Sequence, residues 1–131
     1  MATPTPAKPL AAKTALVVDD EKDLRDILSD MLANAGMKTF GAADGDTAIH
    51  LIRTNRPDVI LTDIKMPGKD GNALLRSLYL AESAIPIIVI TGSESRAESA
   101  WSELGVFSVL TKPFDDVKII KAVGAALGVK V

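Results

Sequence analysis

The sequence predicts an α/β fold, a parallel β-sheet covered on both faces by helices. Three observations predict it. Short apolar runs alternate with amphipathic stretches five times along 131 residues. Each apolar run stops at a polar or turn-forming residue. No internal repeat divides the chain, and its length suits one domain with a sizeable core.

The elements follow in order. Residues 1–12, with Pro4, Pro6 and Pro9 among Ala, Thr and Lys, predict a disordered Pro/Ala-rich tail. The folded domain is expected over 13–131. Thr14 to Val18 is a β-type run ending at Asp19-Asp20-Glu21. Leu24, Ile27, Leu28, Met31 and Leu32 then fall at helical spacing, with Asp20 placed to cap the helix and Gly36 to end it. Met37 to Ala42 predicts a second, weaker strand. Asp44-Gly45-Asp46 opens a second helix with Ala48, Leu51 and Ile52 on one face, and Pro57 follows its end. Val59 to Leu61 is a buried strand running into Asp63. A third helix carries Leu74, Leu75 and Leu78. Pro86 opens the apolar strand Ile87 to Ile90, closing on Thr91-Gly92-Ser93. A fourth helix sets Ala97, Ala100, Trp101 and Leu104 on one face. Val106 to Leu110 is the last strand, ending at Thr111-Lys112-Pro113. A fifth helix starts near Asp115, with Val117, Ile120, Val123 and Leu127 inward.

Parallel strands joined by right-handed crossovers bring all their C-terminal ends to one edge, where open α/β sheets bind ligands. That edge collects Asp19 and Asp20 after the first strand, Asp63 after the third, Thr91 after the fourth and Lys112 after the fifth. Any one of these has an ordinary role as cap, turn former or solvated lysine. Together they form a constellation. Three clustered carboxylates repel one another unless a cation joins them. With no Cys and a single, distant His50, that cation is a hard one, and Mg²⁺ fits. A carboxylate can also be a nucleophile toward phosphorus. Asp63, on the middle strand before the turn formers Pro67 and Gly68, is the candidate nucleophile. Asp19 and Asp20 are candidate metal ligands. Thr91 and Lys112 are placed to neutralise phosphoryl oxygens.

Composition excludes other classes. The net charge of −2 lacks the basic excess that nucleic acid or an anionic membrane requires of a partner. The absence of cysteine removes disulfides and thiolate chemistry and accords with a cytoplasmic setting. No apolar run reaches the length of about 20 residues that spans a bilayer. A dinucleotide-binding domain would need a Gly-rich turn after the first strand, and none is there. His50 beside Leu51 reads as surface decoration, Trp101 as packing, and Met31, Met37 and Met66 as gap fillers or turn neighbours.

In these motifs the sequence resembles response-regulator receiver domains of two-component signalling, in particular the single-domain chemotaxis type. The resemblance rests on Val17-Val18-Asp19-Asp20-Glu21, on Asp63-Ile64-Lys65-Met66-Pro67-Gly68-Lys69-Asp70-Gly71, on Thr91-Gly92 and on Lys112-Pro113-Phe114. It covers about residues 13 to 128. It implies a doubly wound, flavodoxin-like sheet of five parallel strands in the order 2-1-3-4-5 with five helices. It implies phosphorylation on Asp63, and Mg²⁺ held by Asp19, Asp20, Asp63 and the Lys65 carbonyl. Thr91 and Lys112 would contact the phosphoryl group, and the Lys112–Pro113 bond would be cis. Lys65 and Ser93 would flank the path of attacking water. The donor would be the phosphohistidine of a sensor histidine kinase or a histidine phosphotransfer protein. The receiver would catalyse only its own phosphorylation and slow dephosphorylation.

One position departs from the family pattern. Three residues before Lys112 the family ordinarily has Tyr or Phe, and this chain has Val109. An isopropyl group cannot gate a pocket as a ring does. Phe107, two residues earlier, is expected on the same side of the strand. The leading expectation is a stand-alone phosphoacceptor switch or relay acting on a downstream protein. A receiver-like binding module that acts without phosphorylation is the alternative. A haloacid-dehalogenase-type phosphatase would need a second Asp two residues after Asp63, where Lys65 stands.

Overall fold

The structure, a computed structural model, describes residues 10–63, 71–91 and 104–129, with Gly71 and Asn72 by backbone alone. Five strands form one parallel sheet: β1 (Thr14–Val18), β2 (Lys38–Ala42), β3 (Val59–Asp63), β4 (Ile87–Thr91) and β5 (Val106–Thr111). Their order is β2-β1-β3-β4-β5, as the resemblance implies. Among the described residues the helices are α1 (Lys22–Asn34), α2 (Gly45–Asn55), α3 (Gly71–Leu80) and α4 (Asp116–Leu127). The helix expected over Ala97 to Leu104, with Trp101, falls almost wholly outside the described residues; only Leu104 is within them.

Strands β1, β3 and β4 are apolar because both their faces are covered. Leu16, Val18, Ile60, Ile87 and Val89 pack with Ala48 of α2 and Leu74, Leu75 and Leu78 of α3. The alternate residues Ala15, Val17, Val59, Leu61, Ile88 and Ile90 pack with Leu28 and Leu32 of α1 and Ile119 and Val123 of α4. Leu10, read from the sequence as tail, belongs to this second layer. It is fully buried and its N–H donates to the Ala35 carbonyl at 3.3 Å.

Local chemistry sets the helix ends. Asp44 accepts from the Thr47 N–H at 2.7 Å and Asp115 from the Lys118 N–H at 2.8 Å, both N-cap bonds. Helix α1 differs from expectation. Its N-cap is Glu21, which makes no side-chain cap bond, and Asp20 does not cap. Gly36 follows the C-terminus of α1 at φ 99°, a left-handed conformation that suits glycine. The inward face of α4 is also rotated from that expected. Val117 is 56% exposed and Ile119 is buried, while Val123 is buried as expected.

A clamp ties β1 to β3 at their N-terminal ends. Asp58 Oδ2 accepts from the Thr14 N–H at 2.8 Å and from its hydroxyl at 3.1 Å, and the Asp58 N–H donates to the Thr14 carbonyl at 2.9 Å. Asp58→Ala strips the partly buried Thr14 donors of a charged acceptor. Urea denaturation should show a loss of about 2 kcal/mol. A loss under about 0.5 kcal/mol, the range of ordinary surface substitutions, would show that the clamp contributes nothing.

Candidate functional site

The parallel sheet brings the C-terminal ends of β1, β3, β4 and β5 together, and the polar residues there form one cluster. The Asp19 N–H donates to the Ala42 carbonyl at 3.0 Å, extending the β1–β2 ladder by one residue before the chain turns. Its carboxylate turns back on its own loop, where Oδ1 accepts the Glu21 N–H at 2.8 Å. Asp63 closes β3, its carbonyl accepting the Thr62 hydroxyl at 2.8 Å. One carboxylate oxygen from each of Asp19, Asp20 and Asp63 lies within 4.8 Å of the other two. Asp19 and Asp63 are buried and Asp20 is exposed, so the cluster is walled on one side and open on the other.

The cation comes from β5. Lys112 Nζ lies 3.8 Å from Asp63 Oδ2, and the Lys112 N–H donates to the Thr91 carbonyl at 2.9 Å. That backbone bond continues the β4–β5 ladder beyond Thr91 and Thr111, fixing where the lysine leaves the sheet. Thr91 is buried at the end of β4. The Lys112–Pro113 peptide bond is cis.

Burial pushes the Asp19 carboxyl up to about 6; the Glu21 N–H opposes the rise, Asp63 adds to it, Lys112 opposes it, and Asp20 adds further. The donor set tests which cation fits. Three carboxylates with one side open to water offer hard oxygen ligands alone, which suits Mg²⁺ and gives a thiolate- or imidazole-preferring metal nothing to bind. Lys65, whose carbonyl the resemblance adds to the ligands, lies outside the described residues, as do Met66 and Ser93.

Val109 is half-buried and packs against the α2–α3 side of the core. Phe107 does not share its position. The β4–β5 register slips between Ile87, paired with Val106, and Ile88, paired with Ser108, so Phe107 is an extra residue in a bulge. Val106 and Val109, three apart, consequently pack on the same core layer, while Phe107 is 49% exposed. The expectation from strict alternation therefore fails here. His50 is exposed on α2, as a surface residue would be. Arg25 had no signal in the sequence. Its Nη1 donates to the Asp19 carbonyl at 2.7 Å.

The receiver-domain family model of response regulators matches residues 15–124. The receiver domain of the Francisella response regulator 1452 is 32% identical, with a TM-score of 0.82 over 88% of this chain and 97% of that one. The NtrX receiver domain from Brucella abortus is 31% identical, with a TM-score of 0.82 over 87% and 98%. The chemotaxis response regulator CheY4 of Vibrio cholerae is 28% identical, with a TM-score of 0.80 over 88% and 98%. A family match over most of the chain, a shared fold and an acidic cluster at the sheet edge agree: this chain belongs to the response-regulator receiver domains.

Proposed function

We propose that the protein is a phosphoacceptor that takes a phosphoryl group on Asp63 and signals by protein contact or by passing the group onward. The observation that carries this reading is the meeting of three carboxylates within 4.8 Å with an ammonium 3.8 Å from one of them. Of the three, Asp63 is the one that Lys112 faces. An Asp63 oxygen attacks the phosphorus of a phosphohistidine, an O–P bond forms, and the P–N bond breaks with its electron pair returning to the imidazole. Lys112 and Thr91 would meet the charge on the phosphoryl oxygens. Asp19, Asp20 and Asp63 would hold Mg²⁺, which when bound neutralises phosphoryl charge and relieves the repulsion among them.

The partners by this reading are a sensor histidine kinase or a histidine phosphotransfer protein, and a downstream protein. No helix among the described residues is long and apolar enough to cross a membrane. A cytoplasmic location fits such partners.

The test is intact mass after incubation with acetyl phosphate. One base-labile phosphoryl adduct should form with Mg²⁺ and fall at least tenfold in rate when EDTA replaces it. No adduct under either condition would overturn the reading in favour of a binding module that acts without phosphorylation. Steady turnover of organic phosphate esters would point instead to a hydrolase.

A further inference from the structure

Arg25 reaches the cluster through the backbone, not through a side chain. It lies on α1, away from the strand ends that supply the cluster, and its half-buried side chain spans the gap between β2 and the loop after β1. Nη1 donates to the Asp19 carbonyl at 2.7 Å, a charge-assisted bond. The carbonyl of Asp19 and the N–H of Asp20 belong to one planar peptide unit. Holding that carbonyl therefore fixes the plane from which Asp20 departs. Asp19 is held independently, by its N–H on the Ala42 carbonyl and by its carboxylate on the Glu21 N–H. No comparable bond among those described fixes the exposed Asp20.

Gly41 makes room for this arrangement. It sits in β2 opposite Val17, with a backbone conformation open to any residue, so conformational freedom does not explain a glycine there. Space does. A Cβ at Gly41 would stand 3.3 Å from Arg25 Cδ and 3.5 Å from its Cγ and Nε. The glycine lets the arginine stem lie flat across the strand and bring its head to Asp19.

We propose that Arg25 is a positioning residue for the cation site, acting through the Asp19 carbonyl to orient Asp20, with Gly41 as the floor on which its stem rests. The assignment rests on the metal reading given above. Arg25 itself touches neither the phosphoryl group nor the cation.

Mg²⁺ titration calorimetry on the full chain at pH 7.5 tests it, beside the Mg²⁺ dependence of phosphorylation by acetyl phosphate. Arg25→Ala should raise the Mg²⁺ dissociation constant about tenfold, the usual cost of losing an outer support of a metal ligand. The phosphorylation rate at saturating Mg²⁺ should stay within about twofold of wild type, because every group that contacts phosphorus is intact. Gly41→Ala should weaken Mg²⁺ by about threefold on its own and by nothing further in the Arg25→Ala background, since both act through one contact. This second variant answers the question even if Arg25→Ala folds poorly. A wild-type isotherm with both single variants within experimental error of it overturns the assignment alone. Additive losses in the double variant also overturn it, because Gly41 would then act by another route. A wild type that binds no Mg²⁺ overturns the metal reading and this assignment with it.

Discussion

Asp63→Asn is expected to abolish the phosphoryl adduct and to remove most of the thermal stabilisation that Mg²⁺ gives the protein. The first effect follows from chemistry, because an amide oxygen is too poor a nucleophile to replace a carboxylate. The second follows from linkage, because a ligand that binds the folded state stabilises it in proportion to how tightly it binds. Asp63 supplies one of three carboxylate oxygens within 4.8 Å of one another, and an amide offers Mg²⁺ a neutral oxygen in place of a charged one. At Mg²⁺ about 100-fold above its Kd the wild type should gain about 2.7 kcal/mol, and the variant under about 1 kcal/mol. Intact mass and thermal melts in EDTA and in Mg²⁺ check both statements. An adduct retained in Asp63→Asn would move the phosphorylation site elsewhere. An equal Mg²⁺-dependent gain in the two proteins would remove Asp63 from the ligand set.

How much of this was legible in the sequence differs from element to element for physical reasons. Strands β1, β3 and β4 announce themselves because a parallel strand buried on both faces must be apolar throughout. The edge strand β2 is weaker, with Lys38 and Gly41 exposed, because only part of it is covered. The cluster of Asp19, Asp20, Asp63, Thr91 and Lys112 was legible because parallel topology alone sends strand ends to one edge. The phase of α4 was not. From Val117 to Leu127 only Lys118, Lys121 and Gly124 interrupt the aliphatic residues, so periodicity allows two neighbouring stripes and packing chooses Ile119 over Val117. The bulge at Phe107 left no trace in composition, since an extra residue in a ladder changes pairing and not hydrophobicity. Arg25 was invisible for a related reason. A side chain bonding a backbone carbonyl six residues earlier has no residue-type signature at the acceptor. The capping role expected of Asp20 fails because a strand-end Asp before a helix has the same local pattern whether or not it caps.

The apparent Mg²⁺ affinity of the wild type should fall about tenfold between pH 7 and pH 5 and about a hundredfold by pH 4, with Asp19 as the first group responsible. Its carboxyl is pushed up to about 6, chiefly by burial. Below that pH a cation must displace a proton before it can use this ligand, which costs a factor of about ten per pH unit. Stability should respond with opposite signs in the two states. Without metal, the folded protein holds the Asp19 proton up to about pH 6 while the unfolded chain releases it near the model value of 3.8. The folded state therefore binds more protons in that window, and as far as Asp19 is concerned stability falls as pH rises through it. With saturating Mg²⁺ the carboxylate form is the one held, the folded-state pKa drops below the unfolded value, and stability rises with pH instead. Thermal midpoints from pH 4.5 to 8 in EDTA and in Mg²⁺ should thus diverge upward, and calorimetry should give the affinity slope. An affinity unchanged between pH 7 and pH 5 would exclude Asp19 as a ligand. Asp63→Asn offers an internal control, because it removes one of the charges that hold the Asp19 proton in place. Its Asp19 transition should move down from about 6, yet stay above 3.8, because burial is the larger cause and the substitution leaves it intact.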